Sequence, residues 1–256
     1  MELLNKIVEV VRQAGEIVVS AKDIRSCTMT KTSAADLVTA YDVKVQSFLK
    51  EKLPELVPGA VFYGEEDKER QDPTTGWAFI VDPIDGTANF VRGLSQSAIS
   101  VALAKDGVIQ YGVVLDPFKN ELFTAKRGEG AYLNGERFHV SDRPLSEGIC
   151  GMGSAPYNKS LHEDTIRALW HIFNRSCDFR RMGAAALDLC NLACGRLDAF
   201  FEFELCPWDY AAASLMITEA GGVISTLKGE PLPLTGMSTV WASNAINADV
   251  RKELNV

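Results

Sequence analysis

The stretch Trp77-Ala78-Phe79-Ile80-Val81-Asp82-Pro83-Ile84-Asp85-Gly86-Thr87-Ala88-Asn89-Phe90 decides how this chain is read, because an apolar run ends abruptly in two carboxylates and a glycine. Residues 77–81 have the pattern of a buried strand. Asp82 and Asp85 follow at once, too close together for ordinary surface charge. Two anions so placed must repel each other or share a cation, and hard oxygen ligands suit Mg2+. Pro83 restricts the backbone between them and predicts a turn, which lets the Ile84 carbonyl point inward as another oxygen ligand. Gly86-Thr87 then opens a short helix, whose first N–H groups attract a phosphate that Gly86 allows to come close. Thr87 reads either as the cap of that helix or as a hydroxyl that orients a water.

Three more carboxylates matter in relation to this pair. Ala60-Val61-Phe62-Tyr63 predicts a strand, and in the following Gly64-Glu65-Glu66-Asp67 the placement of Glu65 repeats that of Asp82. If the two strands are neighbours, both carboxylates emerge at one sheet edge and a shared metal becomes plausible; Glu66, Asp67, Glu69 and Arg70 read as a solvated turn. Asp42 begins a helix with Val45, Phe48, Leu49 and Leu53 inward before Pro54. It is either a first-turn carboxylate favoured by the helix dipole or the group that polarises an attacking water. Asp209, in Cys206-Pro207-Trp208-Asp209, stands ahead of an alanine-rich helix running to Ala220-Gly221-Gly222. It is either the N-terminal cap or a metal ligand fixed and stripped of water by that position.

Around these points the chain reads as α+β. Residues 3–21 form an amphipathic packing helix, and 27–39 a polar loop that closes over a site. Strands 97–105 and 108–115 pair through Asp106-Gly107, with further strands from Glu121 onward. Regular strand–helix alternation is missing, as are the glycine fingerprint of dinucleotide sites and a Walker loop, which argues against a Rossmann domain or an NTPase. Residues 141–146 are polar and proline-bearing, a boundary between an N-terminal half (1–140) and a C-terminal half (141–256) of one catalytic unit. The second half predicts strands near 149–153 and 178–180, helices near 161–174 and 184–194, the strand Ala199-Phe200-Phe201 interrupted by Glu202, and late strands at 222–225 and 240–244.

With 256 residues, 46% apolar composition and a formal charge of −8, the chain has no excess of Lys and Arg with which to neutralise a nucleic-acid backbone. An acidic protein that handles a phosphorylated small molecule needs a metal. No run of 18 apolar residues and no signal-peptide pattern occurs, so the expectation is a cytoplasmic protein without membrane association. Cys27, Cys150, Cys177, Cys190, Cys194 and Cys206 contain no Cys-x-x-Cys pair and read as reduced core thiols; with His139, His162 and His171 they make no zinc set.

Taken together, Gly64-Glu65-Glu66, Asp82-Pro83-Ile84-Asp85-Gly86-Thr87 with Asn89-Phe90, and Trp208-Asp209 with Glu219-Ala220-Gly221-Gly222 resemble the inositol monophosphatase family, within the group that includes fructose-1,6-bisphosphatases. Asp36-Leu37-Val38-Thr39 followed by Asp42, and Gly195-Arg196-Leu197-Asp198-Ala199, add to the match, which spans nearly the whole chain. The resemblance implies a layered α-β-α-β-α fold, with a mixed or antiparallel sheet in the first half, a second sheet flanked by helices in the other, and a homodimer. It implies one Mg2+ on Glu65, Asp82 and the Ile84 carbonyl, another on Asp82, Asp85 and Asp209, and a third, weaker ion near Glu65 in some members. Asp42 and Thr87 match the pair that positions the nucleophilic water, and Lys31 matches a lysine of the mobile loop. Asp85, Gly183, Ala185, Glu202 and Asp209 fall on substrate-side positions, with Ala184 where a threonine is frequent and Ala213 where a glycine is common. The implied reaction is Mg2+-dependent hydrolysis of myo-inositol monophosphate with relaxed polyol or sugar phosphate selectivity. Histidinol phosphate and fructose bisphosphate are the rival substrates. Asn89-Phe90 differs from the continuation typical of nucleotide 3′-phosphatases. A regulatory role beside transcription machinery is the reading from another class.

Overall fold

The computed structural model describes residues 2–31 and 37–254. In chain order it contains α1 (Leu3–Val19), β1 (Thr28–Thr30), β2 (Leu37–Thr39), α2 (Ala40–Leu56), β3 (Val61–Gly64), β4 (Trp77–Asp85), α3 (Thr87–Arg92), β5 (Ala98–Lys105), β6 (Val108–Asp116), β7 (Glu121–Lys126), β8 (Gly130–Leu133) and β9 (Glu136–Arg137). There follow β10 (Ile149–Met152), α4 (His162–Phe173), β11 (Asp178–Arg180), α5 (Ala185–Ala193), β12 (Ala199–Leu205), α6 (Pro207–Glu219), β13 (Val223–Ser225), β14 (Ser238–Ser243) and a closing 3-10 segment, Ala245–Glu253. Strands β3 to β9 lie side by side in chain order in a seven-stranded sheet that is parallel only where β3 meets β4. The second sheet has the order β11-β10-β12-β14-β13 and is parallel at both sides of β10.

Alternation along the strands builds the layers. On β5, Ile99, Val101 and Leu103 face the cluster formed with Ile7, Val11 and Ala14 of α1 and Val45, Leu49 and Leu53 of α2. The intervening Ala98, Ala102 and Ala104 face α5 and α6. That second face is made of small residues because α6 comes very close: a Cβ on Gly112 would lie 2.5 Å from the Ala212 carbonyl oxygen. Beyond α5 and α6, Phe200, Val240 and Ala242 of the second sheet join the same cluster, while Ala199, Phe201 and Trp241 turn away toward Ala168 and Ile172 of α4. Helices α5 and α6 are therefore covered on both sides, which is why they are apolar nearly all round. The order of layers is α1/α2, sheet, α5/α6, sheet, α4, the α-β-α-β-α architecture that the resemblance implies.

Several local expectations are corrected. Part of the predicted 27–39 loop is the antiparallel ribbon of β1 and β2, in which Thr28 lies opposite Thr39 and Thr30 opposite Leu37. These triplets are too short to show a period. Thr32 to Asp36, including the family match at Asp36, lie outside the described residues. Helix α2 starts two residues before Asp42, because Thr39 caps it and Asp42 answers as the third residue of a capping box. The helix also carries Pro54 in its last turn. Strand β4 runs through Pro83 to Asp85, with a register shift opposite β5 between Asp82 and Asp85; a bulge, rather than a strand-ending turn, absorbs the proline. Glu202 does not interrupt β12, which continues to Leu205. Of the six cysteines, all free, only Cys150 and Cys190 are buried and Cys177 is exposed.

Two family motifs prove to hold layers together. Arg196 forms a fork with Glu121 at 2.6 and 2.8 Å, and Asp198 accepts from the Ile149 amide at 2.8 Å and from Arg143 Nε at 3.0 Å. Glu219, at the end of α6, accepts from the amides of Gly128 and Gly130 at 2.7 and 2.9 Å. Glu219→Ala leaves both amides without this acceptor, and Gly130 is buried. The expected cost is about 1–3 kcal/mol of stability, read by calorimetry. An unchanged Tm would contradict it.

Candidate active site

Strands β3 and β4 are parallel neighbours with Gly64 opposite Val81, and the Glu65 amide donates to the Val81 carbonyl at 3.1 Å. Glu65 and Asp82 therefore leave the sheet at the same edge, and Glu65 lies within hydrogen-bonding reach of Asp82. Asp82 is buried and accepts from the Ile84 amide at 3.0 Å. Asp85 crosses to the other half, where its two oxygens accept from the Ala185 and Ala186 amides at 3.2 and 2.8 Å, at the positive end of α5. Asp209 is not the cap of α6. Cys206 holds that position, and Asp209, in the first turn, accepts from the Cys206 amide at 2.6 Å.

One oxygen from each of Asp82, Asp85 and Asp209 lies within 4.8 Å of the other two. Apart from Glu65 beside Asp82, itself an acid, their hydrogen-bond partners are backbone amides, which carry only partial charges. Burial pushes all three carboxyls above their ordinary range, Asp85 to about 7, and the charges of Glu65 and of one another push Asp82 and Asp209 further. Such a set fits a divalent cation, and donors that are all hard oxygens fit Mg2+ better than a soft metal.

This has a measurable consequence. Without the ion these carboxyls bind protons more tightly folded than unfolded, so the contribution of Asp85 is full below the unfolded value near 3.8 and is lost as pH rises through about 7, with Asp82 and Asp209 changing in the same direction. The Tm in EDTA is expected to fall between pH 5 and pH 8. Mg2+ at a hundred times its Kd adds about 2.7 kcal/mol per site, roughly 5–10 °C, and more at pH 8 than at pH 5.5 because protons compete for the same oxygens. A Tm at pH 8 indifferent to Mg2+ would contradict the cation site.

Asp42 lies in the first turn of α2 and also reaches Thr87. One oxygen accepts from the Thr39 amide and hydroxyl at 2.8 and 2.5 Å, and the other lies 3.1 Å from Thr87 Oγ1, which is also 3.1 Å from the Ile84 carbonyl. Thr87 is not a cap, since Gly86 occupies that position with φ +79°. A Cβ on Gly86 would meet Gln96 O and Ala184 Cβ at 3.0 Å and Gly183 O at 3.1 Å, so the two halves touch at this turn. Lys31 Nζ reaches Glu65 at 3.0 Å and Glu66 at 2.5 Å. Of the residues expected on the substrate side, Ala185 is joined to Asp85 as described, and Gly183 has φ +83°. Glu202 is buried, accepts from the Ala155 amide at 3.1 Å and is pushed up to about 7 by burial.

Other polar contacts near these residues are not readable from spacing. Asn89 Nδ2 donates to Gln96 O and Met182 O, both at 2.8 Å, tying α3 to the second half. Asp67 departs from the solvated reading, since it accepts from Lys50 at 2.7 Å and Gln46 at 3.3 Å. Asp188, buried inside an apolar helix run, has Oδ1 without a hydrogen-bond partner among the described residues and is pushed up by burial. The only available signal was a lone carboxylate among leucines.

The model of the inositol monophosphatase family matches residues 1–255. The chain belongs to that family. Inositol-1-monophosphatase of Rhizobium meliloti is 37% identical over 254 residues, covering 98% of this chain and 95% of that protein. Nus factor SuhB of Escherichia coli is 36% identical over 263 residues, covering 99% and 97%. The solved IMPase of Thermotoga maritima superposes with a TM-score of 0.89 at 29% identity, covering 99% and 96%. Family membership and the acidic cluster support metal-dependent hydrolysis of phosphorylated polyols. Among the described residues no helix is long and apolar enough to cross a membrane.

Proposed function

We propose that this protein hydrolyses myo-inositol monophosphate to inositol and phosphate, with relaxed selectivity among polyol and sugar phosphates and with two or three Mg2+ ions. The observation that carries the reading is the convergence of Asp82, Asp85 and Asp209 beside the hydrogen-bonded Thr87–Asp42 pair. Glu65, Asp82 and the Ile84 carbonyl hold one ion, Asp82, Asp85 and Asp209 another, and a third is weaker and near Glu65. Bound there, the ions neutralise phosphate charge, acidify a water and stabilise the leaving oxygen. The Gly86 and Thr87 amides bind phosphate oxygens. Thr87, donating its proton to Asp42, turns a lone pair toward the attacking water and holds it in line with the ester bond. Lys31 steadies Glu65. Asp85, Gly183, Ala185, Glu202 and Asp209 form the polyol side, with Glu202 accepting from hydroxyls. Cys206 takes no part as a nucleophile: burial and the charges of Asp209 and Glu65 push its thiol up to about 12.

The test is phosphate release from inositol monophosphate, histidinol phosphate, fructose 1,6-bisphosphate and a nucleotide 3′-phosphate, each with Mg2+ and with EDTA. Highest kcat/KM for inositol monophosphate, lost in EDTA, is expected. A markedly higher value for histidinol phosphate would overturn the substrate assignment, and undiminished turnover in EDTA the mechanism. The protein is further proposed to be a homodimer, which light scattering checks. Similarity to a Nus factor favours a second reading, a protein-binding role beside transcription machinery. It predicts partner capture that survives Asp85→Asn and is lost on a surface substitution.

A further inference from the structure

Arg70 belongs by sequence to the solvated turn after Gly64, and its side chain is largely exposed. Its guanidinium nevertheless has fixed partners. Nε donates to the Gly64 carbonyl at 2.9 Å, Nη2 donates to the Glu65 carbonyl, and the central carbon lies 4.4 Å from the centre of the Trp208 ring. Trp208 is nearly buried, packs against Tyr63 with ring centres 5.8 Å apart, and accepts from Ser100 Oγ at 3.1 Å through its carbonyl. The next residue is Asp209. The Glu65 backbone is thus held on its amide side by Val81 and on its carbonyl side by Arg70.

We propose that Arg70 is a positioning residue that straps the Gly64–Glu65 turn to Trp208, and so holds Glu65, from the first half, in register with Asp209, from the second. The inference rests on the metal reading of these two carboxylates and names the group that keeps them in place. Arg70 acts through shape, since the Glu65 carboxylate is paired with Lys31 and the Arg70 guanidinium meets two backbone carbonyls and the rings of Trp208 and, at 5.7 Å, Tyr63. A planar fork that bonds two successive carbonyls while lying on an indole face is a geometry lysine cannot reproduce. Loss of the strap leaves Asp82, Asp85 and Asp209 where they are and frees the Glu65 turn.

The test is calorimetric titration of the full, ion-free chain with Mg2+. Arg70→Gln and Arg70→Lys are both expected to weaken by roughly tenfold the binding step that Glu65→Gln also weakens, the size typical when a group supporting a metal ligand is removed. In phosphate release the Mg2+ half-saturation rises by a similar factor, while kcat at saturating Mg2+ stays within about twofold of the parent. Unchanged Mg2+ affinity in Arg70→Gln overturns the proposal, as does full rescue by Arg70→Lys, which would make the role one of charge. Should Arg70→Gln fail to fold, Arg70→Lys carries the same titration. A parent chain that binds no Mg2+ overturns the metal reading together with the strap. A parent that titrates normally but releases no phosphate overturns only the proposed reaction.

Discussion

Asp82→Asn is expected to lower kcat/KM by about a thousandfold or more, since metal assistance supplies several kcal/mol and each 1.36 kcal/mol is a factor of ten. Asp82 is the carboxylate shared by both proposed ion sites, so its substitution removes a ligand from each. The same change should have the opposite sign on stability without the ion. Asparagine keeps an oxygen for the Ile84 amide and removes a buried charge that Glu65, Asp85 and Asp209 all oppose. In EDTA the variant should melt above the parent, and Mg2+ should add far less to its Tm. Activity within tenfold of the parent, or a lower Tm in EDTA, would show that Asp82 is not held in a repelling cluster.

Asp42→Asn is expected to reduce kcat by about 10²–10⁴ with little change in KM, the range for removing a group that manages a proton in the transition state. The reason lies in the polarity of one hydrogen bond. The Thr39 amide and hydroxyl both donate to the same Asp42 oxygen, so the asparagine carbonyl must stay there. Its NH2 group then faces Thr87, and the hydroxyl that donated to Asp42 has to accept instead. The Thr87 proton swings to the Ile84 carbonyl or toward the water, and in either case the hydroxyl no longer donates to a carboxylate that makes its oxygen a strong acceptor for the water. The capping role is preserved, so Tm should stay close to the parent. Thr87→Ser retains the hydroxyl and should keep most activity; a Thr87→Ser rate as low as that of Asp42→Asn would refute this account.

The residues legible in the sequence are those that interrupt a pattern. Asp82 and Asp85 stand out because a buried strand does not ordinarily end in paired charges, and the reading of Glu65 depends on an adjacency of β3 and β4 that only the sheet order supplies. Asp42 and Thr87 are 45 residues apart, and no local spacing announces their bond. The contacts of Arg70, Asn89 and Glu219 escape for a different reason: these residues bond to backbone groups, which every residue carries, so no partner side chain marks the contact. The α+β character was readable from the pattern of elements, and the order of layers only through the family resemblance. The bulge at Pro83 and the start of α2 were not, because a bulge and a cap are decided by what lies across the sheet or at the helix end.

The helices packed between the two sheets belong to the second half of the polypeptide, yet they cover the alanine-lined face of a sheet built wholly from the first. Severing the chain near residue 140 would leave Ile80, Ala102, Val114 and Phe123 without their lid, and α5 and α6 without one of their walls. Each fragment should aggregate when produced alone and recover a cooperative melt when refolded with the other. Complementation of this kind also brings Asp85 back to Asp209, so regained catalysis would report reassembly.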